Sequence, residues 1–371
     1  MLNTSVTSNL VLYKVLVIFV KNKTMISTIS PKKFFQSADF PDFDDWQSEL
    51  AAAITDLDEL HRLLDLPAPE ATHTSNHFGL RVPHAFIKKM QKSDPLDPLL
   101  LQVLPSPVER LAVEGYGTDP LAENHQNPIK GLLHKYRSRV LLTITGACAV
   151  HCRYCFRQHF DYAANQPSSR EISAVTDYIS AHPELDEVIF SGGDPLSVNH
   201  KFLSLWLDKI ADIPHIHTVR LHTRLPVVLP NRVDGELLSL FANYPKKIVM
   251  VLHINHANEI DEALIKKCQG LRAANVMLLN QTVLLKGIND DVEVLSKLSH
   301  ALFAAGIMPY YLHVLDKVAG AAHFDLPIKQ AVDIYWQLLE RLSGYLVPKL
   351  VQELPNRPYK TPVNLHLLDD D

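Results

Sequence analysis

From Arg139 onward, short runs of consecutive apolar or β-branched residues alternate with longer amphipathic stretches. The runs are Val140 to Thr145, Glu187 to Ser191, Thr218 to His222, Ile248 to Ile254, Val276 to Leu284 and Pro309 to Leu315. A short apolar run bounded by turn residues is the pattern of a strand buried on both faces. Each run is followed by a helical candidate. Six strand-then-helix units, recurring at intervals of roughly thirty residues with little hairpin chemistry between them, predict a parallel sheet closed or nearly closed into a barrel. In such folds the chemistry collects at the C-terminal strand ends. The unusual residues of this chain fall there: Cys148, Gly192, Gly193, Arg224, His253, Gln281 and Asp316.

Upstream the pattern differs. Residues 41 to 130 are rich in Asp, Leu and Pro, with helical periodicity over Trp46 to Leu64 and turn chemistry at Pro95, Pro98, Pro105 and Pro107. The expected organisation is an extension or upstream start over 1–24, a helical N-terminal region over 25–130, a barrel over 131–325, and a C-terminal helix and tail over 326–371. Met25 offers a second start. The apolar run Leu10 to Val20 is interrupted by Tyr13 and Lys14 and is too short to span a bilayer.

Composition narrows the class. A chain of 371 residues, 47% hydrophobic and 21% charged, can bury the core of a globular enzyme. The net charge of −5 and the lack of any Lys/Arg block give no footprint for nucleic acid. Three of the four cysteines, Cys148, Cys152 and Cys155, form a C-x3-C-x2-C pattern directly after the first barrel strand. That spacing suits metal ligation in a reducing compartment, so the expected location is the cytoplasm. Zinc would need a fourth ligand, for which His159 or Cys268 are candidates. A four-iron cluster held by three thiolates instead leaves one iron open to chelate a small molecule.

The cysteine motif, followed by Ser191-Gly192-Gly193-Asp194-Pro195 after the second strand, resembles the radical S-adenosylmethionine superfamily, whose fold is a partial (β/α)6 TIM-like barrel. Four further segments, Gly131 to Tyr136, Pro226 to Pro230, Asn255 to Glu259 and Leu279 to Leu285, resemble the lysine 2,3-aminomutase family. The stretch Tyr310 to Val318 is similar to the bacterial branch of that family that makes β-lysine for elongation factor P.

The resemblance implies an isomerase that converts α-lysine to β-lysine with a 4Fe-4S cluster, S-adenosylmethionine and pyridoxal 5′-phosphate, through a 5′-deoxyadenosyl radical and an imine of lysine with the pyridoxal. It places the cluster on Cys148, Cys152 and Cys155, and S-adenosylmethionine near Gly192, Gly193, Asp194 and Gln281. Lys360 matches the lysine that carries the pyridoxal phosphate, with Lys135 and Arg139 near its phosphate. Arg157 matches the group that holds the substrate carboxylate, and Asp316 with Glu353 the acids that hold its side-chain ammonium. Two carboxylates would select a cationic side chain and repel glutamate. Implied partners are L-lysine, a reductant of flavodoxin or ferredoxin type, and a functional link to elongation factor P and its lysyl ligase. Two other readings stand beside this one. One is a catabolic enzyme making free β-lysine, whose longer members extend well past the point, eleven residues beyond Lys360, where this chain stops. The other is a non-catalytic zinc or nucleotide-binding module. Cys268 is expected to be a buried structural thiol.

Overall fold

The computed structural model describes residues 35, 39–69, 78–123, 126–165, 167, 171–355 and 357–368, so the run Leu10 to Val20 and Met25 lie outside the described residues. The apolar runs form one continuous sheet. Its nine strands are β1 (Leu132–Tyr136), β2 (Arg139–Thr145), β3 (Glu187–Gly192), β4 (Thr218–Thr223), β5 (Lys247–His253), β6 (Val276–Val283), β7 (Met308–His313), β8 (Lys349–Gln352) and β9 (Thr361–Pro362). They lie side by side in chain order. Neighbours from β2 to β8 are parallel, while β1 and β9 pair antiparallel at the two edges.

Helices follow the chain around this sheet. The N-terminal region holds α1 (Trp46–Ala51), α2 (Leu57–Leu63) and α3 (His84–Ile87). Next come α4 (Tyr162–Asn165), α5 (Glu171–Ser180), α6 (His200–Ala211), α7 (Leu225–Val228), α8 (Gly235–Ala242), α9 (Glu262–Ala273), α10 (Val292–Ala304) and α11 (Ile328–Arg341). Four crossover helices start at sequence-encoded caps: Asn199, Asp234, Asp261 and Asp291 each accept a backbone N–H from the first turn. Their inner faces cover the sheet with residues such as Trp206, Leu237, Leu264 and Leu298, all of them buried.

Two differences from the sequence reading have plain causes. The parallel array gains a seventh strand, β8, whose buried Leu350 and Val351 form too short a run to stand out. The helix expected over Trp46 to Leu64 is two helices, because Ile54 leaves the helical path to exchange backbone hydrogen bonds with Val82 at 2.8 and 2.9 Å. Asp45 and Asp56 cap the two pieces. Tertiary pairing outweighs a few tenths of a kcal/mol of local propensity here. Among the described residues no helix is long and apolar enough to cross a membrane.

Candidate active site

One cavity opens at the C-terminal ends of the parallel strands. Its wall includes every residue that the resemblance assigns to a cofactor or to the substrate: Cys148, Cys152, Cys155, Arg157, Gly192, Gly193, Asp194, Gln281, Asp316, Glu353, Lys360, Lys135 and Arg139.

The cysteine loop leaves β2 and is fixed from two sides. From the N-terminal region, Arg153 N donates to Gln102 O at 2.9 Å and His151 N to Arg81 O at 3.0 Å. The fully buried Arg153 guanidinium forks onto Glu109 and reaches Phe78 O at 2.7 Å. From the sheet, Gly193 N and Asp194 N donate to Thr145 O and Ala147 O, both at 2.8 Å. This contact explains the glycine pair. A Cβ on Gly193 would lie 2.4 Å from Ala147 O, and one on Gly192, whose φ is +110°, would lie 2.6 Å from Thr145 O. Gly192 O accepts from Tyr162 Oη at 2.8 Å. Asp194 acts as a clamp: its carboxylate accepts from Thr223 Oγ1 and from the backbone N–H groups of Leu196, Arg224 and Leu225. It ties the end of β3 to the end of β4.

Burial pushes the Cys148 thiol well above its ordinary range, helped by the charges of Cys155 and Asp194. Burial also pushes Cys155 up to about 12, with Cys152 adding to the effect. A metal that displaces the protons relieves that penalty. Among the described residues no three His, Cys, Asp or Glu side chains surround a single ion position. Three thiols on one cavity wall are the donor type that holds an iron–sulfur cluster. Neither candidate fourth zinc ligand joins this wall: His159 Nε2 lies 3.0 Å from Ala319 O, and Cys268 is sealed in the core on α9, where burial pushes its thiol up to about 12.

Deeper in the cavity, five charges, two of them buried and three partly buried, alternate in sign. Arg157 donates from Nε and Nη2 to Glu123 at 2.8 and 3.1 Å, and from Nη1 to Ser191 Oγ at 3.1 Å. Each terminal nitrogen carries two hydrogens, so the outer edge of the fork keeps one N–H apiece for a ligand carboxylate. Lys135 Nζ lies 3.4 Å from Glu123 and 3.6 Å from Glu353. Lys360 Nζ donates to Glu353 at 2.6 Å, and Tyr136 Oη donates to the other Glu353 oxygen at 3.1 Å. Burial opposes ionisation of both acids, yet Arg157 and Lys135 hold the Glu123 carboxyl below its usual range, and Lys360 and Lys135 do the same for Glu353. Asp316 goes the other way. Burial and the charge of Glu353 push its carboxyl up to about 7, against the pull of Lys360.

Of the two cations expected near a cofactor phosphate, Lys135 is thus committed to carboxylates, while Arg139 lies 4.1 Å above the Tyr136 ring. Arg220 on β4 also faces this end of the cavity. His222 Nε2 is buried with no hydrogen-bond partner among the described residues, an orphan that a polar ligand atom would satisfy. Together with Lys360, this lining fits a phosphorylated pyridine aldehyde. Sequence reasoning passed over Glu123, Tyr136, Arg220, His222 and His313. The two histidines sit near the C-terminal ends of β4 and β7, a position that marks candidates, but Glu123 lies in an irregular segment that nothing local distinguishes.

The parallel sheet, the cysteine loop and the cavity at the strand ends define a radical S-adenosylmethionine enzyme, and residues 142–298 match the sequence profile of the Radical SAM superfamily. The chain is 50% identical over 331 residues to L-lysine 2,3-aminomutase of Escherichia coli (strain K12), covering 88% of this chain and 96% of that protein. It is 48% identical over 319 residues to the enzyme of that name from Haemophilus influenzae, covering 85% and 94%. A third, from Clostridium subterminale, is 34% identical over 335 residues, covering 89% and 80%. The chain therefore belongs to the L-lysine 2,3-aminomutase family. It is an isomerase of the kind that uses a 4Fe-4S cluster, S-adenosylmethionine and pyridoxal 5′-phosphate.

Proposed function

We propose that this enzyme moves the amino group of L-lysine from Cα to Cβ and that its β-lysine is attached to elongation factor P. The observation that carries the reading is the single cavity that joins three cysteine thiols to Lys360 and to an Arg157–carboxylate system of the right sign at each end of lysine. Cys148, Cys152 and Cys155 would hold the cluster, Lys360 the pyridoxal phosphate, and Gln281 with the Gly192–Gly193 backbone the nucleotide. When bound, these groups supply a carbon-centred radical that abstracts hydrogen and a conjugated ring that spreads the unpaired electron.

The chain's own residues then place the substrate. The open edge of Arg157 takes the lysine carboxylate bidentately, and Asp316 with Glu353 takes the side-chain ammonium. Glu353 already accepts an ammonium, that of Lys360 at 2.6 Å, so its reach and charge suit such a group. Glutamate in the same seat would set a third carboxylate against two, which disfavours it strongly. The wall residues around the thiols, among them Ala149, Val150 and Leu315, are apolar and buried, so they offer water no hydrogen-bonding partner beside a radical formed there.

Support for the elongation factor P link comes from Tyr310 to Val318. The test is anaerobic incubation of the loaded enzyme with lysine and a reductant, followed by amino-acid analysis. The product is then offered, with the lysyl ligase, to elongation factor P for mass measurement. β-Lysine that the ligase transfers in preference to α-lysine supports both parts. Absence of β-lysine sinks the activity, and β-lysine that the ligase does not prefer sinks the link.

A further inference from the structure

Arg224, the first residue after β4, is bonded through both terminal nitrogens at the cysteine end of the cavity. Its Nη1 donates to Cys152 Sγ at 2.8 Å and to Tyr154 Oη at 2.6 Å. Its Nη2 donates to Gln102 Oε1 at 2.6 Å and to Glu259 Oε2 at 3.0 Å. The residue is 6% exposed, and Glu259 is 0% exposed. The partners are fixed in turn: Glu259 Oε1 accepts from Asn255 N and His256 N, and Asn255 Nδ2 donates to Gln102 Oε1 and Tyr154 Oη. The backbone N–H of Arg224 is held by Asp194 at 2.7 Å. The guanidinium cannot swing away from the sulfur without orphaning several buried groups, each at a cost of about 1–3 kcal/mol.

A rigid cation donating to a ligand sulfur has a defined electrostatic consequence. When a cluster gains one electron, negative charge builds on its sulfur ligands, and a buried N–H donor bearing positive charge stabilises the reduced form more than the oxidised one. Burial of the guanidinium itself strengthens the effect, and Glu259, on the far nitrogen of the same guanidinium, moderates it.

We propose that Arg224 is a positioning residue that raises the reduction potential of the iron–sulfur cluster through its N–H on Cys152, and so sets how readily a one-electron reductant can charge it. This rests on the reading that Cys148, Cys152 and Cys155 hold the cluster. The two ideas fail differently. If Cys152→Ala loads iron and shows the wild-type cluster spectrum, the ligand reading is wrong.

The test of the inference is a dithionite or titanium(III) titration of the reconstituted enzyme without S-adenosylmethionine, followed by the electron paramagnetic resonance of the reduced cluster. Arg224→Met removes both charge and donor. Arg224→Gln removes the charge but leaves a polar group for Gln102 and Glu259. Iron content and far-ultraviolet circular dichroism are measured in parallel. Expected is wild-type iron content with a more negative midpoint in both neutral variants, and part of the wild-type value regained in Arg224→Lys. A neutral variant that loads iron fully and titrates at the wild-type midpoint overturns the proposal. Equal loss of iron in Met, Gln and Lys variants also overturns it, since that is the behaviour of an arginine needed only for folding.

Discussion

Glu123→Gln probes the buried charge chain at the point where substrate and fold meet. In the wild type, both Glu123 oxygens accept from Arg157, at 2.8 and 3.1 Å, and one also faces Lys135 at 3.4 Å. Both partners are nearly sealed, with Glu123 4% and Arg157 6% exposed. Glutamine has the same shape but one acceptor, so one Arg157 N–H keeps a partner while the other meets an amide NH2, donor against donor. Breaking a buried pair by removing one charge costs about 3–5 kcal/mol, and one retained neutral hydrogen bond returns about 1, so the net expectation is roughly 2–4 kcal/mol. The Glu123 carboxyl is held below its unfolded value, so this stability is fully present above about pH 4 and is lost only as pH falls through the lower folded value. The assay is guanidinium chloride unfolding at pH 7. The midpoint should fall with unchanged slope. Because the Arg157 fork also loses its anchor, the KM for lysine should rise while pyridoxal phosphate loading stays the same. A loss of stability under about 1 kcal/mol, with an unaltered KM, would refute the claim that Glu123 holds Arg157.

Two further substitutions test the ends of the cavity separately. Lys360→Ala should abolish borohydride-fixable pyridoxal phosphate yet keep full iron content, because the two groups rest on different parts of the chain; fixation on another lysine, located by peptide mapping, contradicts this. Gly193→Ala should lower iron loading sharply, since its Cβ would lie 2.4 Å from Ala147 O in the cysteine loop, and iron analysis with circular dichroism separates that from unfolding.

The strands were legible because a parallel sheet buried on both faces writes its elements as continuous apolar runs: Glu187 to Ser191 was expected and Glu187–Gly192 found. The edge strand β9 was not, as a two-residue strand containing Pro362 carries no periodicity. The cysteine cluster was legible for a similar reason, since three thiols within one loop are a local pattern. The charge chain was not. Glu123 meets Arg157 across 34 positions and Tyr136 meets Glu353 across 217, contacts made by the winding of the sheet rather than by spacing. The glycine pair has a structural reason that its sequence does not reveal. Gly192 and Gly193 were expected to let backbone approach a nucleotide, and their nearest neighbours are the backbone of the cysteine loop.

The same winding gives Asp316 a titration that can be followed directly. Burial and the neighbouring charge of Glu353 raise its carboxyl to about 7, while Lys360 and Lys135 pull it down only in part. A raised folded value means that the free fold prefers the protonated acid, so its contribution to stability is present at low pH and is lost as pH rises through about 7. Lysine bound as proposed needs the opposite state, since an ammonium is held by a carboxylate and not by a carboxylic acid. Below pH 7 the incoming side chain must expel that proton, and above it none is left to expel. Glu353 is ionised throughout this range, and burial with nearby cations keeps His222 and His313 neutral, so neither acid nor imidazole masks the signal. The expected outcome is close to one proton released per lysine bound at about pH 6 and almost none at about pH 8, with lysine affinity falling near tenfold for each unit below 7. Calorimetry in two buffers of different ionisation enthalpy measures the release. Asp316→Asn should bind lysine more weakly and lose the pH dependence together with the proton. Equal release at both pH values in the wild type would mean that Asp316 does not meet the lysine ammonium, and the cation seat would then have to be built from Glu353 alone.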